Sequence, residues 1–231
     1  MPELTLVFAL YPNLTQLDFT GPYEVLRRVP GARVIVASRE GGTLTADPGL
    51  SFAGLTRLDT IERCDLLCVP GGAGCAAAVL DRAFLAEVRR LGQAARYLTS
   101  VCVGSLVLAA AGLITGKRAA CHWGWRELLG EAGAIPDPGR VVRDGNLITG
   151  GGVTAGIDFG LTIAAELAGV EAAQAIQLAI EYDPAPPFTA GRPETAPPEV
   201  VRAAREGIAR VYPERKAALE QALRDRAELP R

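Results

Sequence analysis

Short apolar runs alternate along the chain with longer stretches in which apolar residues recur at helical spacing. The runs are typical of strands buried on both faces: LTLVFAL (4–10), ARVIVAS (32–38), CDLLCVPGG (64–72) and RYLTSV (96–101). Helical spacing follows in GPYEVLRRV, DRAFLAEVRRLGQAA, VTAGIDFGLTIAAELAG and EAAQAIQLAIEY. GGTLTADPGLSF and RVVRDGNLITG each predict two strands around turn residues. This alternation predicts an α/β fold with a mostly parallel sheet that helices cover on both faces.

Prolines mark predicted helix starts, loops and helix breaks at three places in the chain. Pro22 suits the first position of a helix that begins in GPYEVLRRV. DPAPPFTAGRPETAPP (183–198) predicts a proline-rich loop, and a charged helical extension at about 198–228, interrupted by Pro213, follows it. We expect this extension to pack across the domain or onto a partner subunit. No linker precedes residue 183, so residues 1–231 are predicted to form a single domain.

Composition narrows the class of protein. The 231 residues are 49% hydrophobic, with 24 Lys and Arg against 26 Asp and Glu. This balance favours neither nucleic acid nor an anionic membrane as a partner. No apolar run has the length of a membrane span, and MPELTLVFALYP lacks the basic start of a signal peptide. Five cysteines without framework spacing indicate reduced thiols, and therefore a cytoplasmic protein.

Three polar or glycine-rich segments follow predicted strands. They are YPNLTQLDFTGP after the first strand, PGGAG after the strand that contains Cys68, and SVCVGS after the strand that contains Tyr97. In sheets of this kind, ligands bind beyond the carboxyl ends of the strands. If these strands are parallel neighbours, the three segments meet in one crevice.

Cys102 lies on the corner between a predicted strand and a predicted helix. Ser100 and Gly104, two positions to either side, are as small as a nucleophile elbow requires. The N-terminus of the helix that starts at Val103 is expected to lower the pKa of the thiol. Cys102 is either this activated nucleophile or one more small buried apolar residue, and the local pattern allows both.

Two further segments offer groups that could act with such a thiol. In PGGAG, the N–H of Gly72 could join that of Val103 in an oxyanion-type pocket, or the segment is an ordinary turn. Asp18, between Leu17 and Phe19, either caps a helix or lies beside the thiol with a raised pKa, able to give and take a proton.

His122 is the single histidine, so no metal site that needs two imidazoles can form. It lies in AACHWGW, where it either orients the site or forms a structural hydrogen bond. The other four cysteines, Cys64, Cys68, Cys75 and Cys121, lack zinc-type pairing. The sequence therefore predicts no metal and no cofactor.

LDFTGPYEVL, PGGAG, SVCVGSLVLAAAGLITGKRA, CHW and RDGNLITGGGVTAGIDFGL together resemble the ThiJ/PfpI family, which has a glutamine-amidotransferase-like fold. The resemblance covers nearly the whole chain and implies a flavodoxin-like three-layer α/β/α sandwich, a nucleophile at Cys102, an acidic partner at Asp18 and a homodimer. Within the family the sequence is most similar to the isocyanide hydratases, which carry aspartate where many relatives carry glutamate. These hydratases carry threonine directly after the nucleophile, whereas this chain has Val103.

The resemblance implies a hydratase that converts a small uncharged isocyanide to an N-substituted formamide through a thioimidate on Cys102. Two alternatives stay open. One is another cysteine enzyme of the family, glyoxalase-like or deglycase-like. The other is a ligand-sensing domain related to AraC-type regulators, but about 33 residues after the proline-rich loop are too few for the two helix-turn-helix units of such activators. These residues also lack the basic stripe that DNA binding requires.

Overall fold

The computed structural model describes residues 4–227, and the predicted end of the extension at residue 228 lies outside this range. Strands and helices alternate through most of it. The strands are β1 Leu4–Leu10, β2 Ala32–Ser38, β3 Gly42–Thr45, β4 Ser51–Arg57, β5 Leu66–Val69, β6 Tyr97–Val101, β7 Arg118–Ala120, β8 Ile135–Asp137, β9 Val141–Asp144 and β10 Leu147–Gly150. The helices are α1 Gln16–Leu26, α2 Cys75–Leu80, α3 Arg82–Ala94, α4 Gly104–Ala110, α5 Arg126–Glu131, α6 Ala155–Ala168, α7 Val170–Ala179 and α8 Pro198–Ala227.

Eight strands form one sheet in the order β3-β4-β2-β1-β5-β6-β10-β9. Strands β4, β2, β1, β5, β6 and β10 run parallel, and β3 and β9 pair antiparallel at the two edges. Helices α1, α6 and α7 pack together, and α2, α3, α4 and α8 form a second group. The sheet lies between the two groups. The predicted fold class, a flavodoxin-like three-layer α/β/α sandwich with a mostly parallel sheet, is confirmed.

The central strands form where the sequence has unbroken apolar runs, because both faces of the sheet are covered. Residues 6–10 of β1 and all four residues of β5 are buried. Strands β1, β5 and β6 are parallel neighbours. Their carboxyl ends therefore bring together the three segments that the sequence analysis singled out.

The prediction that Pro22 occupies the first position of its helix is wrong. Helix α1 begins at Gln16 and contains Pro22 in its interior. The ring of Phe19 packs edge-on against Phe8 and Phe52, with centroids 5.2 Å apart in each pair. This core packing extends the helix toward its N-terminus. Asp18 consequently lies in the first turn of α1 rather than before it.

The predicted interruption of the C-terminal helix at Pro213 is also wrong, because α8 runs through this proline. Proline removes one helical hydrogen bond, but packing on either side can hold the helix together. Pro213 is exposed, whereas Arg215, Ala218 and Leu219, just beyond it, are buried. Helix α8 packs on α2 and α4. It occupies the stretch where the sequence predicts an extension, and the single-domain interpretation stays a prediction.

Residues 117–138, for which the sequence pattern predicted no secondary structure, form a small unit outside the main sheet. Strands β7 and β8 pair in parallel as a separate two-stranded sheet. A single 3₁₀ turn, Trp123–Trp125, and helix α5 connect them. Each element is too short to show a hydrophobic period. None of the helices in residues 4–227 combines the length and apolarity that a bilayer span demands.

Candidate active site

Cys102 lies on a sharp corner between β6 and α4. Its backbone has φ +58°, a left-handed conformation that non-glycine residues rarely adopt. Hydrogen bonds hold it on both sides: its N–H donates to the Gly150 carbonyl over 3.0 Å, and its carbonyl accepts from the Ser105 hydroxyl over 3.2 Å. The corner therefore has the strained strand-to-helix geometry of a nucleophile elbow.

The small residue at Gly104 is a steric necessity. A Cβ atom placed on Gly104 would lie 2.1 Å from the Val69 carbonyl oxygen and 2.8 Å from that of Pro70. The start of α4 can thus approach the end of β5 only without a side chain here. Ser100 is fully buried, and its hydroxyl has no partner within residues 4–227. The two small residues predicted around the elbow are both tightly enclosed.

The carboxyl group of Asp18 reaches the elbow from α1. It is fully buried, and its Oδ2 accepts the N–H of Gly71 over 3.0 Å. A Cβ atom placed on Gly71 would lie 2.7 Å from Asp18 Oδ2, 2.9 Å from the Cβ of Cys102 and 2.6 Å from the backbone N of Val103. Carboxyl, thiol-bearing carbon and helix N-terminus therefore converge on this one glycine.

Burial changes the protonation of both groups. It raises the pKa of Asp18 to about 7, although hydrogen bonding by the Cys102 thiol and the Gly71 N–H lowers it in part. Burial, followed by the negative charge of Asp18, raises the pKa of Cys102 well above that of an ordinary thiol. The Val103 N–H at the helix start does lower the thiol pKa, as expected, but desolvation outweighs it and the net pKa is raised.

The two groups therefore behave as a coupled pair that holds on to a proton near neutral pH. The predicted raised pKa of Asp18 is confirmed. Asp18 Oδ1 is buried and has no hydrogen-bond partner within the described chain. A carboxyl oxygen without a partner beside a thiol can exchange a proton with a bound molecule.

The glycine-rich segment after β5 lies against the start of α1. At Gly72, which has φ +146°, a Cβ atom would lie 2.3 Å from the Thr15 nitrogen. The Gly72 N–H has no acceptor within residues 4–227, whereas its carbonyl accepts from Arg215. The N–H of Val103 faces the Cys102 sulfur and favours its charged form. The predicted oxyanion pair of Gly72 and Val103 stays a prediction, and Gly71 is the glycine bonded to Asp18.

The side chain of Val103 is almost completely buried directly after the elbow. His122 is half-buried, and its Nδ1 accepts the N–H of Gly124 over 3.2 Å, which caps the 3₁₀ turn. Burial, and then the positive charges of Arg215 and Arg126, lower the pKa of His122. An imidazole kept neutral in a cap has a structural task, and an auxiliary role in catalysis stays a prediction.

The sequence placed none of three further residues near the elbow, and it considered Cys75 only as a possible zinc ligand. The thiol of Cys75 donates to the Val103 carbonyl over 3.7 Å. The hydroxyl of Tyr11, at the end of β1, is buried without a partner among the described residues. Arg215 of α8 is buried behind the PGGAG loop. Only Tyr11 had a usable signal, since it follows a strand whose carboxyl end faces the site.

The described residues were also searched for side chains that could bind a metal ion together. Within residues 4–227, no group of three or more His, Cys, Asp or Glu side chains could hold a metal ion. All five cysteines in this range are unpaired and buried.

Comparison with known proteins identifies the family. The profile of the DJ-1/PfpI family, also called ThiJ/PfpI, matches residues 5–166. The chain belongs to the DJ-1/PfpI family. The match spans β1, the glycine-rich loop and the elbow, so the residues gathered around Gly71 all lie within the family domain.

Individual relatives refine the comparison. Isonitrile hydratase of Pseudomonas putida is 50% identical over 206 residues, which cover 89% of this chain and 90% of that protein. The crystal structure of a ThiJ/PfpI family protein from Pseudomonas syringae matches with a TM-score of 0.92 and 41% identity, covering 95% of this chain and 91% of that one. The HTH-type transcriptional regulator CdhR of Pseudomonas aeruginosa is 31% identical over 175 residues, 72% of this chain but 51% of the regulator.

Proposed function

We propose that this DJ-1/PfpI protein is an isocyanide hydratase that needs no cofactor and uses Cys102 as its nucleophile. Isonitrile and isocyanide name the same functional group, so the relative that is 50% identical over most of both chains supports this activity directly. Within the structure, the observation that carries the proposal is the convergence of Asp18, Cys102 and the Val103 N–H on Gly71.

The first step forms a carbon–sulfur bond. The carbon of an isocyanide is electrophilic but has no leaving group, so a nucleophile that adds to it must be accompanied by a proton. The Cys102 sulfur attacks this carbon while the proton shared with Asp18 moves to the same carbon. The product is a thioimidate, and the Asp18 carboxylate is left ionised.

Water then completes the reaction. Asp18 takes a proton from water as the oxygen adds to the thioimidate carbon, and it passes that proton to the nitrogen. Asp18 next accepts the remaining hydroxyl proton as the carbon–sulfur bond breaks. An N-substituted formamide leaves, and the Cys102–Asp18 pair again holds one proton. Atoms and charges therefore balance with water as the only co-reactant.

The surroundings suit a small uncharged substrate. Val103 and Leu106, which follow Cys102 in the chain, have buried apolar side chains. Asp18, Ser100 and Ser105 are buried polar groups at the same corner. An apolar lining with a few convergent polar groups is typical of small-molecule sites. We extend the proposal to a cytoplasmic enzyme, in line with its five free thiols. Its balanced charge is the reason that we expect neither nucleic acid nor membranes as partners. The family resemblance is the reason that we expect a homodimer.

The comparisons favour the hydratase over the regulator alternative. CdhR is 31% identical over 72% of this chain, whereas isonitrile hydratase is 50% identical over 89% of it. Among residues 4–227, no contact favours glyoxalase-like or deglycase-like chemistry over hydration.

The decisive experiment is turnover of a simple aryl isocyanide with detection of the formamide. A parallel assay with methylglyoxal tests the glyoxalase-like alternative on the same preparation. Cys102→Ser serves as the matched blank in both assays. Turnover of methylglyoxal without formamide production would replace the hydratase proposal with the glyoxalase-like one.

A further inference from the structure

Arg215 is a buried charge without a countercharge. Its side chain is only 8% exposed, and no carboxylate of residues 4–227 forms an ion pair with it. Buried arginines are rare unless a carboxylate neutralises their charge. We therefore ask which other groups contact the guanidinium of Arg215. Here they are two backbone carbonyls and one aromatic ring.

The two carbonyls belong to the loop that approaches the elbow. Nη2 of Arg215 donates to the Gly72 carbonyl over 3.2 Å and lies 3.5 Å from that of Ala73. The guanidinium carbon lies 4.0 Å from the centroid of the Trp125 ring. The Trp125 ring also stacks on Tyr212, one turn earlier in α8, at 5.7 Å and an interplanar angle of 7°. The guanidinium is thus held in a fixed orientation by α8 and the 3₁₀ turn.

The same loop is held at its two ends by the segment between β1 and α1. The Thr15 N–H donates to the Gly71 carbonyl over 2.9 Å, and the Gly74 N–H donates to the Asn13 carbonyl over 2.9 Å. At the first anchor, the Gly71 N–H donates to Asp18 Oδ2 over 3.0 Å. In the middle of the loop, Gly72 forms an isolated antiparallel bridge with Leu14, and its carbonyl accepts from the Cys75 N–H over 3.2 Å. Arg215 adds a side-chain contact from α8 to the carbonyls of residues 72 and 73.

We infer that Arg215 is a positioning residue of the active site: by holding the Gly72 and Ala73 carbonyls it keeps the Gly71 N–H on Asp18 and so fixes the acid beside Cys102. The inference rests on the proposed function for its catalytic readout. Arg215 contacts the loop and not the reacting atoms, so its effect reaches the chemistry through Gly71. Helix α8, outside the matched family region, is thereby a part of the active site.

Loss of Arg215 should change the pKa of the Asp18 carboxyl in one direction. The Gly71 N–H lowers the pKa of the Asp18 carboxyl. If loss of Arg215 lets the loop drift, this hydrogen bond lengthens and the carboxyl pKa rises. The pair then reaches its reactive, singly protonated form only at a higher pH. A residue that merely stabilised the fold would reduce the amount of folded enzyme without moving this pH.

The test compares Arg215→Met, Arg215→Lys and Arg226→Met. Arg226 is the matched control because it lies on the same helix and donates to a backbone carbonyl, that of Ala109, away from the elbow. Arg215→Lys keeps the charge but not the planar fork. Two readouts are recorded against pH for the folded fraction of each variant: kcat with an aryl isocyanide, and the rate at which iodoacetamide alkylates Cys102, mapped by peptide mass spectrometry.

We expect Arg215→Met to lose about 10- to 100-fold in kcat, the scale of a misplaced reacting group, with a smaller change in KM. Both pH profiles should shift to higher pH. Arg215→Lys should show a partial shift, and Arg226→Met none. Unshifted profiles in both Arg215 variants would overturn the inference. A wild-type profile in Arg215→Lys together with a shifted one in Arg215→Met would also overturn it, because charge rather than position would then be responsible.

The alkylation readout separates this inference from the proposed function. It needs no isocyanide, so a wild-type protein that fails to hydrate isocyanides still reports whether Arg215 fixes the Asp18–Cys102 pair. If Arg215→Met does not fold, the alkylation profile of Arg215→Lys decides the question by itself.

Discussion

The N–H of Gly71 donates to Asp18 Oδ2 over 3.0 Å and joins the loop after β5 to the first turn of α1, 53 residues away in sequence. Gly71 also lies against the Cys102 Cβ and the nitrogen of Val103. One backbone group therefore sets where the acid lies relative to the thiol.

Replacing Cys102 with serine or alanine should abolish isocyanide hydration while the far-UV circular dichroism spectrum stays that of the wild type. The reaction needs a sulfur that can both attack the carbon and leave again. Alanine at Cys64, Cys68, Cys75 or Cys121 should leave substantial turnover, because these thiols are not on the elbow. Full activity in Cys102→Ala would end the nucleophile assignment.

Asp18→Asn should lower kcat by at least about a hundredfold, the usual scale for general acid–base catalysis. Asparagine keeps the shape of the side chain but cannot release or recover a proton. In the wild type, kcat/KM should rise through pH 7, because the pKa of Asp18 in the free enzyme is about 7. The residual activity of Asp18→Asn should lack this rise, and Asp18→Glu should retain more activity than Asp18→Asn. A rise at the same pH in Asp18→Asn would assign it to another group.

The same substitution should stabilise the fold above neutral pH. Burial raises the Asp18 pKa from 3.8 to about 7, so the folded state keeps a proton that the unfolded state loses. Wild-type stability therefore falls as the pH rises from about 4 to 7, by at most about 4 kcal/mol, and Asp18→Asn escapes this loss. Urea unfolding at pH 5 and pH 8 measures the difference, which should be larger at pH 8. A difference that shrinks at pH 8 would contradict the raised pKa.

Val103→Thr should raise kcat/KM with an aryl isocyanide. Threonine is nearly isosteric with valine, and the family resemblance leads us to expect a hydroxyl at this position. The new hydroxyl would lie in the buried space after the elbow, where it can hydrogen-bond to sulfur or substrate. Steady-state kinetics of both forms on one substrate make the comparison. An unchanged kcat/KM would mean that the backbone N–H of Val103 is sufficient.

The sequence predicted those parts of the site that depend only on residues close to one another in the chain. Apolar runs on both sides of a tight corner, with Ser100 and Gly104 around Cys102, are enough to place an elbow, because the steric demand is local. Asp18 could be named because it follows β1, one of the parallel strands whose carboxyl ends were expected to meet at one crevice. The contact of Gly71 with Asp18 was missed because two adjacent glycines look alike until the register of the loop against α1 is known. The oxyanion role of Gly72 stays a prediction.

The remaining differences arise from tertiary packing. Arg215 lies in a charged helix whose polar pattern is typical of a solvated surface, and only the folded chain brings it behind the glycine loop. The helix start lowers the pKa of the Cys102 thiol as expected, but the larger opposing contribution of burial was missed, because depth of burial is a property of the whole domain. Pro22 and Pro213 were read as helix boundaries, yet packing carries both helices past them.

Gly71→Ala tests the convergence itself. The methyl group would lie 2.7 Å from Asp18 Oδ2 and 2.9 Å from the Cys102 Cβ, closer than such atoms can approach. The acid and the thiol must then move apart, and we expect kcat/KM to fall by about a hundredfold or more, the cost of a small misplacement of reacting groups. The rise of kcat/KM near pH 7 should move as well, because the Gly71 N–H can no longer hold the carboxylate.

The matched control is Gly207→Ala on α8, where a Cβ atom meets nothing within 4 Å. This variant should keep full activity, and alanine in an exposed helix should if anything stabilise it, by roughly 0.5–1 kcal/mol. Thermal unfolding of both variants shows whether Gly71→Ala remains folded at the assay temperature. A folded Gly71→Ala with wild-type kcat/KM would show that the Gly71 contact with Asp18 is dispensable. The acid would then have to be positioned by its burial in α1 and by the thiol alone.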